Sequence, residues 1–361
     1  MATTTNTWVG SAGAGGFDVR SDTMTTPTQS MLNAITTCTL RDDVFREDRT
    51  TMDLEEHIAK LSGKEAALFV LSGTMGNQVS LRTLLTQAPH SVIADYRSHI
   101  VKYEAGGVSA HTGATVVALV PANGTHLTLE DIQKNVELSN DVHYCPTRVI
   151  SLENTLNGMV MPQDEVRRIA AYAREHNILL HCDGARMWEA VAAKAGTLSE
   201  LCAEFDTVSL CFSKGLGAPI GSIIVSSKAR IEHCRHIRKM MGGGTRQPGA
   251  LTAAARVAVD ETFGLTEDGQ SGLLPGTHAM AKKVEALWVA RGGTMVHPVH
   301  TNMAWLDIEA AGVESDKFIA LCEEQGIAAS GGRIITHYQV TANGEAVLHK
   351  LEKVFDAVLK K

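Results

Sequence analysis

The chain reads as an α/β protein in which a mainly parallel sheet covered by helices precedes a separate, smaller α+β domain. Three observations predict this. Short apolar runs alternate with helix-like segments across residues 54–263, the signature of strands joined by helical crossovers. Beyond residue 264 a Gly-rich connection intervenes and the pattern becomes irregular. A length of 361 residues is too great for one compact core and suits a large domain plus a small one. The expected boundaries are an N-terminal arm over 1–16, a large domain over 17–263 and a small domain over 264–361.

The elements follow in order. The arm is small and polar, rich in Thr, Gly and Ala, and predicts disorder. It has neither a basic n-region nor an apolar h-region, so it is not read as a signal, and a cytoplasmic location is expected. Ala66-Ala67-Leu68-Phe69-Val70-Leu71 is a strand-like run closed by Ser72-Gly73, and a helix is expected over about 77–85. Val149-Ile150-Ser151-Leu152 is the next strand. A helix follows over 162–176, where Val166, Ile169, Ala170 and Ala173 fall on one face. Asp164 and Glu165 occupy its first turn, where the helix dipole favours anions. Ile178-Leu179-Leu180-His181-Cys182, Thr207-Val208-Ser209-Leu210-Cys211-Phe212 and residues 220–225 complete the large sheet. In the small domain a helix is expected over 280–291, short strands over 303–306 and 333–337, and an amphipathic helix over 345–359.

Apolar residues make up 44% and charged residues 20% of the chain, as in a soluble globular protein. The net charge of -7 argues against a nucleic-acid groove. No apolar stretch approaches the ~20 residues that span a bilayer. Arg230, Arg235, Arg238, Lys239 and Arg246 gather in one stretch, and part of that run is expected to serve an anion. Seven cysteines are scattered without CxxC spacing, which predicts buried free thiols in a reducing compartment.

Three features carry chemistry. Asp183 leaves an apolar strand, where parallel sheets place ligand groups, although such an Asp can equally cap the next helix. Lys214 ends another strand-like run and enters Gly215-Leu216-Gly217 with small and apolar neighbours. Partial desolvation of a lysine favours Schiff-base chemistry, and the glycines admit close approach of a flat ring. Ser72-Gly73-Thr74-Met75-Gly76 precedes a helix whose free amides form an anion cradle. A phosphate cradle, then a strand-end Asp, then a strand-end Lys matches the demands of pyridoxal 5'-phosphate (PLP): an anchored phosphate, a protonated ring nitrogen and a held aldehyde. His99 lies where its ring could stack on the cofactor. No metal ion is invoked.

The ordered motifs Asp18-Val19-Arg20-Ser21-Asp22-Thr23, Glu104-Ala105-Gly106-Gly107, Ser151-Leu152-Glu153-Asn154-Thr155, Asp183-Gly184-Ala185-Arg186, Ser213-Lys214-Gly215-Leu216-Gly217 and Gly242-Gly243-Gly244-Thr245-Arg246 resemble those of the threonine aldolase family. The resemblance spans residues 17–340 and implies the aspartate-aminotransferase fold (PLP fold type I, with a large domain of seven-stranded type). It implies Lys214, His99 and Asp183 as catalytic residues. Gly73, Thr74, His99, Asp183, Arg186, Ser213, Lys214 and Arg246 would bind cofactor, and Ser21, Arg186, Arg333 and Asn157 would bind substrate. It implies a small amino-acid substrate, and Arg246 reaching a neighbouring subunit's phosphate in a homodimer or homotetramer. Leu156 stands where aldolases of the family carry a histidine near the substrate's β-hydroxyl, and Phe45 where they tend to carry Tyr. The expected activity is cleavage of L-threonine or L-allo-threonine to glycine and acetaldehyde. The alternative is alanine racemisation, as in the fungal racemases on this scaffold, which needs no group for a β-hydroxyl.

Overall fold

Alternating apolar side chains build a seven-stranded sheet from Ala66–Val70 (β1), Ser91–Asp95 (β2), Thr115–Leu119 (β3), Thr147–Glu153 (β4), Leu179–Gly184 (β5), Thr207–Cys211 (β6) and Ser222–Ser226 (β7). A computed structural model describes residues 14–359. The strand order is β1-β7-β6-β5-β4-β2-β3. All neighbours run parallel except β7, which is antiparallel to both β1 and β6. Period-two alternation gives the sheet two apolar faces. Ala67, Phe69, Ile223 and Val225 enter the main core, while Leu68, Val70 and Ile224 pack on the opposite face.

Helices cover both faces. Gly73–Leu84 (α1) lies against β6 and β7 and so begins four residues before the expected start. His99–Lys102 (α2) is a single turn. Gln163–Glu175 (α3) buries Val166, Ile169, Ala170 and Ala173, the face its periodicity predicts. Lys228–Met240 (α4) packs on α1. The expected fold class is therefore present. Strands β2 and β3 are additions to the reading of the sequence: each is a five-residue run, and β3 is a largely exposed edge.

A second sheet, ordered β10-β9-β8, is formed by Met295–His297 (β8), Met303–Leu306 (β9) and Arg333–Ile335 (β10). The helix Leu274–Val289 (α5) packs on β9 and the helix Gly344–Leu359 (α6) on α5, and Trp288, Phe318 and Phe355 fill the core. Val19 belongs to this second core, and Asp18 pairs with Ala328. Residues 14–16 form a 3₁₀ turn rather than a disordered arm, while residues 1–13 of that arm lie outside the described residues. No described helix is long and apolar enough to cross a membrane. All seven cysteines are free, five of them buried.

Three members of the basic run, Arg230, Arg235 and Arg238, pair with the chain's own carboxylates. At the sheet edge, Phe69 of β1 turns its amide and carbonyl away from β7. Glu55 accepts the amide at 2.8 Å, and Arg238 donates to the carbonyl at 2.7 Å. Arg238 also pairs with Asp43, Arg235 with Glu55, and Arg230 with Asp206. An edge strand with satisfied outward groups offers no ladder to another chain. Arg238→Leu should strand the Asp43 carboxylate and the Phe69 carbonyl, lowering unfolding free energy by about 3–5 kcal/mol. Urea titration followed by far-UV circular dichroism measures that loss.

Candidate active site

Parallel strands end along one edge of the sheet, and their register sets the site. Glu153 of β4 is paired with Asp183 of β5, and Asp183 with Ser209 of β6. The helix α1 approaches β6 so closely that a Cβ on Gly76 would lie 2.2 Å from Ser209 Oγ. Only glycine permits that contact. It seats Asn77, nearly fully buried, over the strand ends.

Asn77 Nδ2 donates to Asp183 Oδ2 and to Glu104 Oε1, both at 2.8 Å. Its Oδ1 accepts from His181 Nε2 at 3.1 Å, which leaves His181 Nδ1 to accept from the Thr207 hydroxyl at 2.9 Å. Burial pushes His181 down to about 4, so the ring is neutral and its tautomer fixed. Asp183 also accepts from the Ala185 amide at 3.1 Å. Glu104 takes Gln78 Nε2 as well, and His99 Nδ1 at 2.8 Å. That hydrogen bond raises the His99 pKa. Meanwhile the His99 amide donates to Glu153 Oε2 at 2.7 Å.

Lys214 lies three residues beyond β6 in a turn closed by Gly217 N–H to Lys214 O (2.8 Å) and Ala218 N–H to Phe212 O (3.0 Å). Its charge reaches Asp22, His99 and Glu153. Lys214, His99 and Asp183 thus share one site. Ser213 is beside them, its hydroxyl 3.5 Å from Cys211 Sγ.

At the mouth, Arg186 makes a bidentate pair with Asp22, Nε at 2.8 Å and Nη2 at 2.6 Å. Asn302 adds a third donor at 3.2 Å. Burial alone would raise Asp22, but the Arg186 charge and hydrogen bonds bring it down to about 2. A ligand would therefore meet Arg186 from its Nη1 side. Burial, then the Arg186 charge, lowers Arg333. Arg333 sits over the Trp305 ring at 5.6 Å and donates to Arg20 O at 3.2 Å. Two arginines converge on a space that one carboxylate serves, an arrangement suited to a second anion. Ser21 precedes Asp22 and accepts from Thr23. Asn157 and Gly158 take φ of 54° and 79° in a tight turn between the bridged residues Leu156 and Met159. Trp305 Nε1 anchors that turn through Asn157 O at 2.9 Å.

Gly73 and Thr74 open α1. Ser72 Oγ accepts the Met75 amide at 3.1 Å, leaving the first amides of the helix facing outward. Arg246 is not brought to the cluster: it is two-thirds exposed and pairs with Asp42. His99, Glu104 and Asp183 bring ligand-type atoms within 4.8 Å, but Asn77 and His99 hydrogens already occupy their facing oxygens, so no metal is assigned.

A sequence model of the family described as beta-eliminating lyase matches residues 18–311. The chain belongs to the beta-eliminating lyase family. Among its relatives, aldolase vrtJ of Penicillium aethiopicum is 48% identical, covering 96% of this chain and 87% of its own. Alanine racemase TOXG of Cochliobolus carbonum is 43% identical, over 97% and 90%. The low-specificity L-threonine aldolase of Saccharomyces cerevisiae is 40% identical, over 94% and 86%. The Leishmania major threonine aldolase structure superposes with a TM-score of 0.78 at 19% identity, over 94% of this chain and 99% of that one, which shows the shared fold.

The supporting groups Asn77, Glu104, His181 and Asp22 were visible in the sequence only as members of motifs and predicted elements, without a role. Polar side chains inside otherwise apolar or glycine-rich turns are the signal that could have found them. Asp22→Asn should remove the charge that orients Arg186 and leave a buried cation, costing about 3–5 kcal/mol. Because Asp22 falls from its ordinary 3.8 to about 2 in the folded state, its stabilisation is complete above about pH 4 and disappears as pH drops toward 2. Roughly 2 kcal/mol of the acid sensitivity between those values should be absent from the variant, as read by denaturant titrations at each pH.

Proposed function

We propose that this protein is a PLP-dependent aldolase of small β-hydroxy-α-amino acids, cleaving L-threonine or L-allo-threonine to glycine and acetaldehyde. The observation that carries the reading is Asp183, His99 and Lys214 gathered at one sheet edge beneath two converging arginines. The relatives named as threonine aldolases agree with it.

The residues present fit the cofactor. Ser222 Oγ is buried without a partner 3.6 Å from where a Cβ on Gly73 would stand, so the α1 N-terminus has an uncommitted hydroxyl beside its free amides. Gly73, Thr74 and Ser213 would hold the phosphate, Asp183 the protonated ring nitrogen, and the His99 ring the outer face. When bound, the cofactor supplies an electron sink that stabilises negative charge at the substrate's Cα. Lys214 would hold its aldehyde and return a proton to Cα. Arg186 and Arg333, with Ser21, would fix the substrate carboxylate, and that geometry chooses which Cα bond lies ready to break. Asn157, held by Trp305, stands at the substrate's side. Arg246, directed outward, would reach a second subunit's phosphate, so the active unit is a homodimer or homotetramer, in the cytoplasm.

A second reading has its own observation. Leu156 is buried and apolar where a proton acceptor for a β-hydroxyl is expected, which favours alanine racemisation on the same site.

Incubating the PLP-loaded protein separately with L-threonine, L-allo-threonine and L-alanine distinguishes the two. Glycine with acetaldehyde is the expected result; D-alanine without acetaldehyde would install the racemase instead. Lys214→Ala should lower threonine cleavage by about 10²–10⁴-fold or more, and Arg246→Ala should weaken PLP retention on gel filtration.

A further inference from the structure

A cavity of about 120 Å³ adjoins the site. Leu156, Met159 and Met161 make it apolar, and Asp95, His126, Glu153 and His300 are its ionisable lining. Three of those four are committed elsewhere. Asp95 is gripped by Arg97 through Nε at 2.9 Å and Nη2 at 2.7 Å. His300 Nδ1 accepts the Val160 amide at 3.2 Å, and His126 Nδ1 lies 3.0 Å from the Thr125 hydroxyl. Glu153 is different. One oxygen takes the His99 amide, while the half-buried residue lines the cavity together with Leu156.

From this geometry we infer that Glu153 is the acid–base residue of the reaction, its carboxylate taking the proton of the substrate's β-hydroxyl. This rests on the aldolase reading above. As the O–H proton passes to Glu153, the oxygen's electron pair forms the aldehyde C=O and the Cα–Cβ bond breaks. The bonding pair stays with the glycine fragment, which Lys214 protonates at Cα. Glu153 then releases its proton to water. The carboxyl thereby replaces the base that Leu156 cannot supply, and the apolar wall receives the departing alkyl group.

The surroundings suit a proton carrier. Burial, then the Asp183 charge, raises Glu153 to about 8, while His99 and Lys214 pull it down. Arg97, at the end of β2, and Arg186, beyond β5, also lie within its field, as does the Cys182 thiol beside Asp183. A carboxyl with such a value is protonated below about pH 8 and ionised above it. Cleavage should therefore climb as pH rises through that region, the base being the ionised form.

A purely structural Glu153 would do no more than accept the His99 amide. Glu153→Gln keeps a carbonyl for that bond and loses only the titration. In the full-length holo-protein, infrared spectra should show a protonated-carboxyl band at pH 7 that titrates near 8 and is absent from the variant. Threonine kcat should fall by about 10²–10⁴-fold with little change in KM, and the rise with pH should flatten. Heavy-water exchange of glycine's α-hydrogen, which involves no hydroxyl, should fall far less. A variant that keeps the wild-type pH profile within a few-fold, or the carboxyl band, would overturn the assignment while the aldolase reading stands. Wild-type protein that releases no aldehyde from any β-hydroxy amino acid would overturn both.

Discussion

The carboxylate of Asp22, without exposed surface, is held by donors from two sheets: Arg186 beyond β5 of the large one and Asn302 before β9 of the small one. A charge so deeply buried is tolerable only with such partners. Because they come from both cores, the ion pair ties the lobes together at the mouth of the site. Arg186 is thereby fixed within the field of Arg333, and under the proposed function a substrate carboxylate would meet a guanidinium already in place. Rigid placement of this kind is what lets binding select one bond for reaction.

A second tier supports the first. Asn77 is the centre of it, donating to two carboxylates through its NH2 and accepting from His181 at its carbonyl oxygen. Two histidines in this tier are tuned by their surroundings: burial keeps His181 neutral, and the hydrogen bond to Glu104 makes His99 more basic. Buried polar networks are worth having only when their members are satisfied, and this one nearly is; Gln78 Oε1 is its orphan.

Much of this was legible in the sequence, and the reasons are local. Strands β1, β4, β5 and β6 are dense in branched apolar residues, and α3 has a clean 3.6-residue stripe, so they declared themselves. Lys214 stands out because a charged residue entering Gly-x-Gly from a strand has few structural explanations, and Asp183, which alone could cap a helix, gains meaning from its order in the chain beside Lys214. Strand β3 was missed although Val116-Val117-Ala118-Leu119 is an apolar run, since only folding shows that it closes the sheet at its edge. The partners of Arg235 and Arg238 could not be foreseen either: Asp43 and Glu55 lie nearly two hundred positions away, and only folding makes them neighbours. Asn77 was hidden at the expected start of a helix, where a polar residue is ordinary. The pairing of Asp22 with Arg186 was hidden similarly, since in the sequence Arg186 reads as a ligand group and Asp22 has no role beyond its motif.

The placement of residues 17–22 among the small sheet has a consequence for biosynthesis. Val19 packs in a core otherwise built from residues 280–355, and His337 donates to Asp18 O across 319 positions of chain. A ribosome delivers the early segment long before its berth exists. The large sheet can form while the remainder is still being made, but Asp22 must wait for Asn302, and Arg186 waits with it. Closing so long a loop costs little extra entropy compared with a shorter one, though it comes late. Closure of the mouth must thus follow synthesis of residues 302–337, long after the strands of the large sheet have been made.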